Sequence, residues 1–393
     1  MKIAFVGNQD NNAYRLCRWI REKGVSADLY MMRKQHARSL PENIHRELKE
    51  SGYPPWIHTY DNTRYFWFLK HDRVVTHIEE NYDIVVTSGG NGLLVARKLR
   101  HIPIIHLSLG SEVTELPFLL FSLRAKWRER LASILLREGL SKADRIITGF
   151  RPTIKSLMRT KYHHRVRMWG YPEDVVSNDS LVDRTLQKEL NAKYSKYDKV
   201  FMWLSRINYL DTSSSAYKGP ERFIAALKKI VFMNQYNVRV VIGTHGSDVQ
   251  EFKTLIADEG LEGYVDYVPH LPYWKLLTYL STANAVIFDE IDKEKGELSG
   301  IAREALSVGA VTVKAIDRDL IQNGFGRGCP VIDAHDVQTC YDAMAKMLNC
   351  DTEEFQRLRK VNVKWAHEYL HYKNNIPKFL EILQESIYCH STR

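Results

Sequence analysis

Short apolar runs of strand length alternate with stretches of helical periodicity from the beginning of the chain. Ile3 to Val6, Ala27 to Met31, Asp83 to Thr87, Ile102 to Leu107 and Arg145 to Thr148 read as strands. Their largely unbroken apolar character is that of strands buried on both faces, as in a parallel sheet covered by crossover helices. A second series begins after a polar gap. Its strands are Val200 to Leu204, Val238 to Gly243, Tyr264 to Val268, Ala285 to Phe288 and Val311 to Ala315. Its helices run over Pro220 to Asn234, Asp248 to Glu259 and Tyr273 to Ser281. The gap itself, 173–199, is rich in Asp, Ser, Asn and Lys and reads as a linker. In the tail no strand follows, and Trp365, Tyr369, Tyr372, Phe379 and Leu383 fall at helical spacing. The pattern predicts an α/β chain with Rossmann-like parallel-sheet domains over 1–172 and 200–350 and terminal helices over 351–393.

Length agrees with that division, since 393 residues exceed one ordinary core and suit two. The five cysteines, Cys17, Cys329, Cys340, Cys350 and Cys389, are odd in number and scattered, without the paired spacing of a zinc knot or a disulfide framework. A reducing, cytoplasmic setting is expected. Met1 to Val6 is too short an apolar run for a signal peptide, and no window reaches the roughly 18 apolar residues of a spanning helix. The net charge of +9 favours anionic partners: nucleotide phosphates, acidic lipids or nucleic acid. Nucleic acid is disfavoured, because no Lys/Arg patch interleaved with stacking aromatics resembles an RNA-binding motif.

In the first domain, Gly7-Asn8-Gln9-Asp10-Asn11-Asn12 follows the first strand and opens a helix over Ala13 to Glu22, where backbone amides can receive an anion. The further glycines of the dinucleotide fingerprint are missing, which disfavours an NAD enzyme. Asn8 and Asn11 either cap the helix or meet a ligand. Gly89 and Gly90, in Ser88-Gly89-Gly90-Asn91-Gly92, stand at the carboxyl end of another strand, where open α/β sheets bind ligands. His106, with Gly110, Ser111 and Glu112 after it, adds an imidazole and a carboxylate to the same rim; His106 is either an acid–base candidate or a structural histidine. From Pro117 to Arg137 a helix is expected, with Leu120, Leu123, Trp127, Leu131, Ile134 and Leu135 on one face. Arg124 and Arg128 flank that face on one side, and Lys126, Arg130 and Arg137 on the other. Such a helix either packs on the sheet or lies peripherally on an anionic membrane.

In the second domain Arg206 ends a strand and Lys218-Gly219 precedes a helix, a placement that can clamp a diphosphate. Gly246-Ser247-Asp248 forms another strand-to-helix turn, and Glu297, Ser299, Gly300, Ile301 and Glu304 follow a strand ending in Asp289-Glu290. Asp289 and Asp292 lack the Asp-x-Asp spacing that would hold Mg²⁺ or Mn²⁺, so no metal and no other cofactor is expected.

The ordered set, Arg206, then Lys218-Gly219, then Gly246-Ser247-Asp248, then Glu297 with Gly300, then Glu304-Ala305-Leu306 with Gly309, resembles the retaining GT-B glycosyltransferases of family 4. The resemblance covers about 200–315; the first domain is similar only in its strand and loop pattern and in Ser141-Lys142-Ala143-Asp144-Arg145-Ile146-Ile147. It implies GT-B architecture, two Rossmann-like domains facing a cleft, with the terminal helices crossing back to the first. It implies transfer of a sugar from a nucleotide diphosphate donor to a glycan or lipid-linked acceptor, without a metal. By the same resemblance Arg206 and Lys218, with Gly219 and Gly246, hold the donor diphosphate. Glu304 takes the ribose hydroxyls, and Glu297, the expected catalytic carboxylate, meets the donor sugar and phosphate with Ser299, Gly300 and Ile301. The family separates its two glutamates by seven residues, whereas six lie between Glu297 and Glu304, and Gly296 occupies the expected first position. Where many members carry histidine before the glycine of the acceptor loop, this chain has Leu109, and His106 is the nearer substitute. Two other readings stay open: a GT-B relative that hydrolyses or epimerises nucleotide sugars, and a non-catalytic sugar or nucleotide binder.

Overall fold

The computed structural model describes all residues except 62–72, 109, 122–125, 150, 159, 215, 235 and 393, and omits the side chains of 37, 120, 121, 177 and 234. Leu109, Leu123 and Arg124 therefore lie outside the described residues, as does the side chain of Leu120. The chain forms two compact units, Met1–Trp169 with Asn375–Arg393, and Gly170–Asn374.

The first unit is built on a parallel sheet of seven strands: β1 (Lys2–Val6), β2 (Ser26–Met32), β3 (Ile57–Tyr60), β4 (Ile84–Ser88), β5 (Ile104–Leu107), β6 (Arg145–Thr148) and β7 (Val166–Met168). Their order is β3-β2-β1-β4-β5-β6-β7, so the direction of winding reverses between β1 and β4. The centre of the sheet is apolar on both faces, with Ile3, Phe5, Val86 and Ile105 fully buried, as a strand covered by helices on each side requires. Gly7 turns the chain out of β1 at φ +83°, where a Cβ would lie 2.3 Å from the Ser88 carbonyl oxygen.

The second unit carries a six-stranded parallel sheet: β8 (Lys199–Trp203), β9 (Val238–Gly243), β10 (Val265–Val268), β11 (Ala285–Phe288), β12 (Val311–Lys314) and β13 (Ile332–Asp333), in the order β10-β9-β8-β11-β12-β13. Here the reversal falls between β8 and β11. Phe201, Trp203, Phe252 and Phe288, with Phe223 from the helix Pro220–Asn234, anchor its core.

Two expectations need correction. The stretch 173–199 is not a linker: it folds as the helices Val175–Leu181 and Arg184–Tyr194 inside the second unit, with Val175, Leu190 and Tyr194 buried. A polar composition is what a helix with one narrow apolar stripe presents. The single helix expected over Pro117 to Arg137 is a 3-10 stretch, Leu116–Phe121, and a separate helix, Trp127–Lys142. Trp127 (69% exposed) and Ile134 (47%) point outward while Leu135 and Leu136 are buried, so the expected apolar face does not exist as one surface. The tail forms the helix Thr352–Trp365, one π turn over Ala366–Leu370, and the helix Tyr372–Ser391. Its last part, Asn375–Arg393, belongs to the first unit, where Ile376, Phe379 and Leu383 are fully buried and the Phe379 ring packs 4.8 Å from that of Trp169.

Candidate functional site

In an open parallel sheet, the strand ends on either side of the reversal point diverge and leave a crevice between their loops. In the second unit those ends belong to β8 and β11, and the polar residues there are not scattered. Asp289, wholly buried after β11, accepts from the Ser205 hydroxyl at 2.5 Å, from the Lys218 ammonium at 3.0 Å, and from the Ser299 hydroxyl. Ser299 is the N-cap of the helix Gly300–Ser307, its hydroxyl accepting from the Ala302 amide at 3.2 Å. One carboxylate thus ties the loop after β8, the lysine before the helix Pro220–Asn234, and the amino end of the helix Gly300–Ser307.

Its neighbour Glu290 holds two more groups. Glu290 Oε1 accepts from Lys218 Nζ at 2.8 Å, and Oε2 from Lys314 Nζ at 2.8 Å. Lys314 is fully buried and also donates to the Glu297 carbonyl oxygen. Burial by itself pushes the Lys218 pKa down, but the carboxylates of Asp289 and Glu290 outweigh it and hold the ammonium well above the ordinary lysine value. Burial pushes Glu290 up, and Lys218 and Lys314 more than reverse it, keeping the carboxylate ionised. Gly219, at φ +72°, would bring a Cβ within 2.5 Å of the Ile291 carbonyl oxygen, so a bare backbone is needed for Lys218 to reach this cluster.

Glu297 stands apart from the paired charges. It is 5% exposed, and its Oε2 has no hydrogen-bond partner. Burial, then the negative charge of Glu290, push its carboxyl up to about 7 against the opposing pull of Lys314. Gly296, at the position where the resemblance expects a glutamate, has φ +84° and room for no side chain, since a Cβ would lie 2.8 Å from Asp317 Cβ. The loop therefore offers its carboxylate from the next residue. A pH dependence follows. An unfolded glutamate titrates near 4.5 and the folded Glu297 near 7, so between these values the folded state holds the extra proton and stability falls as pH rises. Glu297→Gln, which fixes the neutral form, is expected to melt higher than wild type at about pH 8, with the gap closing toward pH 5. Scanning fluorimetry across that range checks it; a gap that does not change with pH refutes it.

Arg206 is exposed directly after Ser205, close enough for its charge to oppose that of Lys218. Glu304 is half-buried one turn into the helix Gly300–Ser307, and a Cβ on Gly300 would meet no atom within 4 Å. Gly246 backs the turn after β9 against the segment following Arg206, where a Cβ would lie 2.2 Å from the Ile207 carbonyl oxygen. Beside this turn is a hollow of about 100 Å³ lined by Leu204, Gly243, His245, Pro269, His270 and Ile301, among others, with the rings of His245 and His270 meeting edge to face at 4.9 Å. Among the described residues no group of three or more His, Cys, Asp or Glu side chains is placed to hold a metal ion.

In the first unit the reversal point lies between β1 and β4, and a hollow of about 220 Å³ opens there, lined by Asn8, Gln9, Met32, His36, Gly89 and Gly90, among others. Asn8 is itself committed: its amide donates to Asn11 Oδ1 at 2.9 Å and to the Ser39 carbonyl at 2.7 Å, while its oxygen caps the helix at the Tyr14 amide at 2.9 Å. Asn11 donates to the carbonyls of Arg38 and Leu40 at 2.9 and 2.8 Å. Capping and loop anchoring account for both residues.

His106 is corrected as a catalytic candidate. It is fully buried on β5, its Nδ1 is 3.0 Å from the Thr87 hydroxyl, and burial drives its pKa down to about 3. A side chain at a strand end points either to the rim or into a helix-covered face, and periodicity alone does not decide between them. Glu112 is likewise buried, its Oε1 accepting from the Gly110 amide at 3.1 Å and the Ser108 hydroxyl at 3.3 Å. It braces its own loop around Gly110 and Ser111. The pairing of Asp289 and Glu290 with Lys218 and Lys314 is not legible in the sequence, where Asp289 is weighed only as a metal ligand; the available signal is a lysine ending an apolar strand, which once buried must find a carboxylate.

No protein-family model matches the chain, and no curated protein matches it in sequence. Solved structures do. HepE of Anabaena in complex with UDP and glucose is similar over 98% of this chain and 100% of its own, at TM-score 0.66 and 14% identity. The sucrose-phosphate synthase of Thermosynechococcus elongatus is similar over 99% and 100%, at 0.63 and 12%. The UDP-GlcNAc 2-epimerase of Neisseria meningitidis bound to UDP-GlcNAc is similar over 98% and 100%, at 0.56 and 14%. The fold is GT-B: two Rossmann-like parallel-sheet units.

Proposed function

We propose that the protein is a retaining glycosyltransferase of the family 4 type, moving a sugar from a nucleoside diphosphate donor to a glycan or lipid-linked acceptor. The observation that carries this reading is the convergence, at the β8/β11 reversal point, of Arg206, Lys218 and the Ser299-capped helix end beside the hollow at Leu204 and Ile301. Breaking the bond between the sugar and the diphosphate leaves negative charge on phosphate oxygens. Arg206, Lys218 and the amides at Gly300 and Ile301 are positive groups fixed where that charge develops. The nucleobase enters against Leu204, His245 and Ile301, Glu304 takes the ribose hydroxyls, and Glu297 takes donor-sugar hydroxyls. The hollow at Gly89 and Gly90 in the first unit, lined by amide and hydroxyl side chains together with Met32 and His36, suits a sugar hydroxyl of the acceptor. The likeness to HepE, which binds UDP and glucose, supports a nucleotide-sugar donor, and the likeness to a sucrose-phosphate synthase supports transfer. The epimerase keeps one alternative in view, because a fold does not fix its reaction.

The test is a panel of UDP-, GDP-, ADP- and dTDP-sugars read by thermal shift and then by product analysis. A donor should raise the melting point by mass action, and sugar should appear on an added acceptor. Donor sugar epimerised or released as free sugar, with none transferred, would select the alternative. No shift with any donor would overturn the reading.

Peripheral membrane contact is proposed on a narrower basis. Among the described residues no helix is long and apolar enough to cross a membrane. Lys126, Trp127, Arg128 and Arg130 are nonetheless exposed together at the start of one helix. Replacing Lys126, Arg128 and Arg130 by Gln is expected to weaken co-sedimentation with phosphatidylserine vesicles, by about 1 kcal/mol per charge. No sedimentation of wild type refutes membrane contact alone.

A further inference from the structure

We propose that Glu290 is a positioning residue that sets how tightly the second unit grips a diphosphate, holding Lys218 in the unliganded protein and surrendering it to phosphate on binding. The proposal rests on the reading of Lys218 as a diphosphate ligand. A single buried lysine needs one carboxylate, yet Lys218 has two, Asp289 at 3.0 Å and Glu290 at 2.8 Å. Asp289 and Glu290 balance Lys218 and Lys314, so an incoming phosphate meets a lysine whose charge is already compensated. Asp289 has further duties, accepting from Ser205 and Ser299. Glu290 adopts φ +47°, a left-handed backbone that residues other than glycine rarely take and that persists only where the surroundings enforce it. From that backbone its two carboxylate oxygens each reach one lysine. Lys314 has a second acceptor in the Glu297 carbonyl oxygen, so a single oxygen at position 290 still satisfies it. Lys218 is the partner that can leave, being the one with any exposure, 13% against 0% for Lys314.

Binding of UDP, GDP, ADP and inorganic pyrophosphate is measured by calorimetry for wild type and Glu290→Gln, with uridine, guanosine and adenosine as phosphate-free controls. Glu290→Gln keeps one acceptor oxygen for Lys314, removes a negative charge beside the phosphate site, and leaves Lys218 to Asp289 alone. Affinity for the phosphate-bearing ligands is expected to rise about tenfold, with no gain for the nucleosides, while the unliganded protein melts lower. A residue that merely supports the fold would lower the melting point without tightening any ligand. Should Glu290→Gln fail to fold, the double variant Glu290→Gln with Lys314→Met, which removes the buried ammonium along with its carboxylate, reports the same gain. Unchanged or weaker binding in the variants, with wild type binding a nucleoside diphosphate, overturns the role of Glu290 and leaves the diphosphate site standing. No binding of any nucleoside diphosphate by wild type overturns both.

Discussion

Replacing Lys218 by alanine is expected to lower turnover by about a hundredfold or more, the usual consequence of removing one preorganised charge donor from a transition state. The same change must also weaken the fold. Lys218 pairs with the buried Asp289, and without it that carboxylate is left to the hydroxyls of Ser205 and Ser299. Breaking a buried pair from one side costs about 3–5 kcal/mol, so turnover has to be compared at a temperature where both proteins are folded. Arg206 supplies the cleaner comparison. It is exposed, so Arg206→Ala should shift stability by no more than about 0.5 kcal/mol while still losing much of the affinity for a nucleoside diphosphate. Because the proposed mechanism draws its positive charge from cationic side chains and helix amides, turnover is expected to survive EDTA. Abolition by EDTA and rescue by Mn²⁺, with Lys218→Ala near the wild-type rate, would remove the diphosphate clamp from the mechanism.

The strands that could be read from the sequence are those buried on both faces. β1, β4, β8 and β11 are short apolar runs because helices cover both sides of each, and their residues leave little choice of structure. β3, β7 and β13 were missed for the complementary reason: they lie at or next to sheet edges, have only four, three and two residues, and alternate or mix polarity. At the site, residues whose importance lies in the backbone were legible, since Gly219 and Gly246 sit in turns that no other residue fits. Residues whose importance lies in pairing were not. His106 and Glu290 each stand near a strand end, and nothing local to either says that one is sealed in the core while the other gathers two lysines from β12 and from the start of a distant helix. Pairing is a property of the sheet order, which brings β8 beside β11 although over eighty residues separate Ser205 from Asp289.

Cutting the chain after Asn374 is expected to unfold the first unit while sparing the second. The removed segment, Asn375–Arg393, contributes no strand, yet it is part of the first unit and not of the unit that precedes it in sequence. Ile376, Phe379 and Leu383 are each fully buried there. At about 1.5–3 kcal/mol per large apolar side chain, their loss amounts to roughly 5–9 kcal/mol, comparable with the whole stability of a typical domain at about 5–15 kcal/mol. The polar contacts add to this only slightly: Arg145 meets the Cys389 sulfur at 3.9 Å, and His390 lies 3.5 Å from Asp144. The face left behind includes Trp169, whose ring loses the 4.8 Å partner Phe379. Calorimetry of the truncated chain should therefore lose one melting transition and keep another, and amide exchange should become fast in β5 to β7 while β8 to β12 stay protected. Phe379→Ala in the full chain should move the first unit's transition in the same direction by about 3–5 kcal/mol. Two transitions at wild-type temperatures in the truncated protein would mean that the terminal helix only rests on the first unit and does not complete its core.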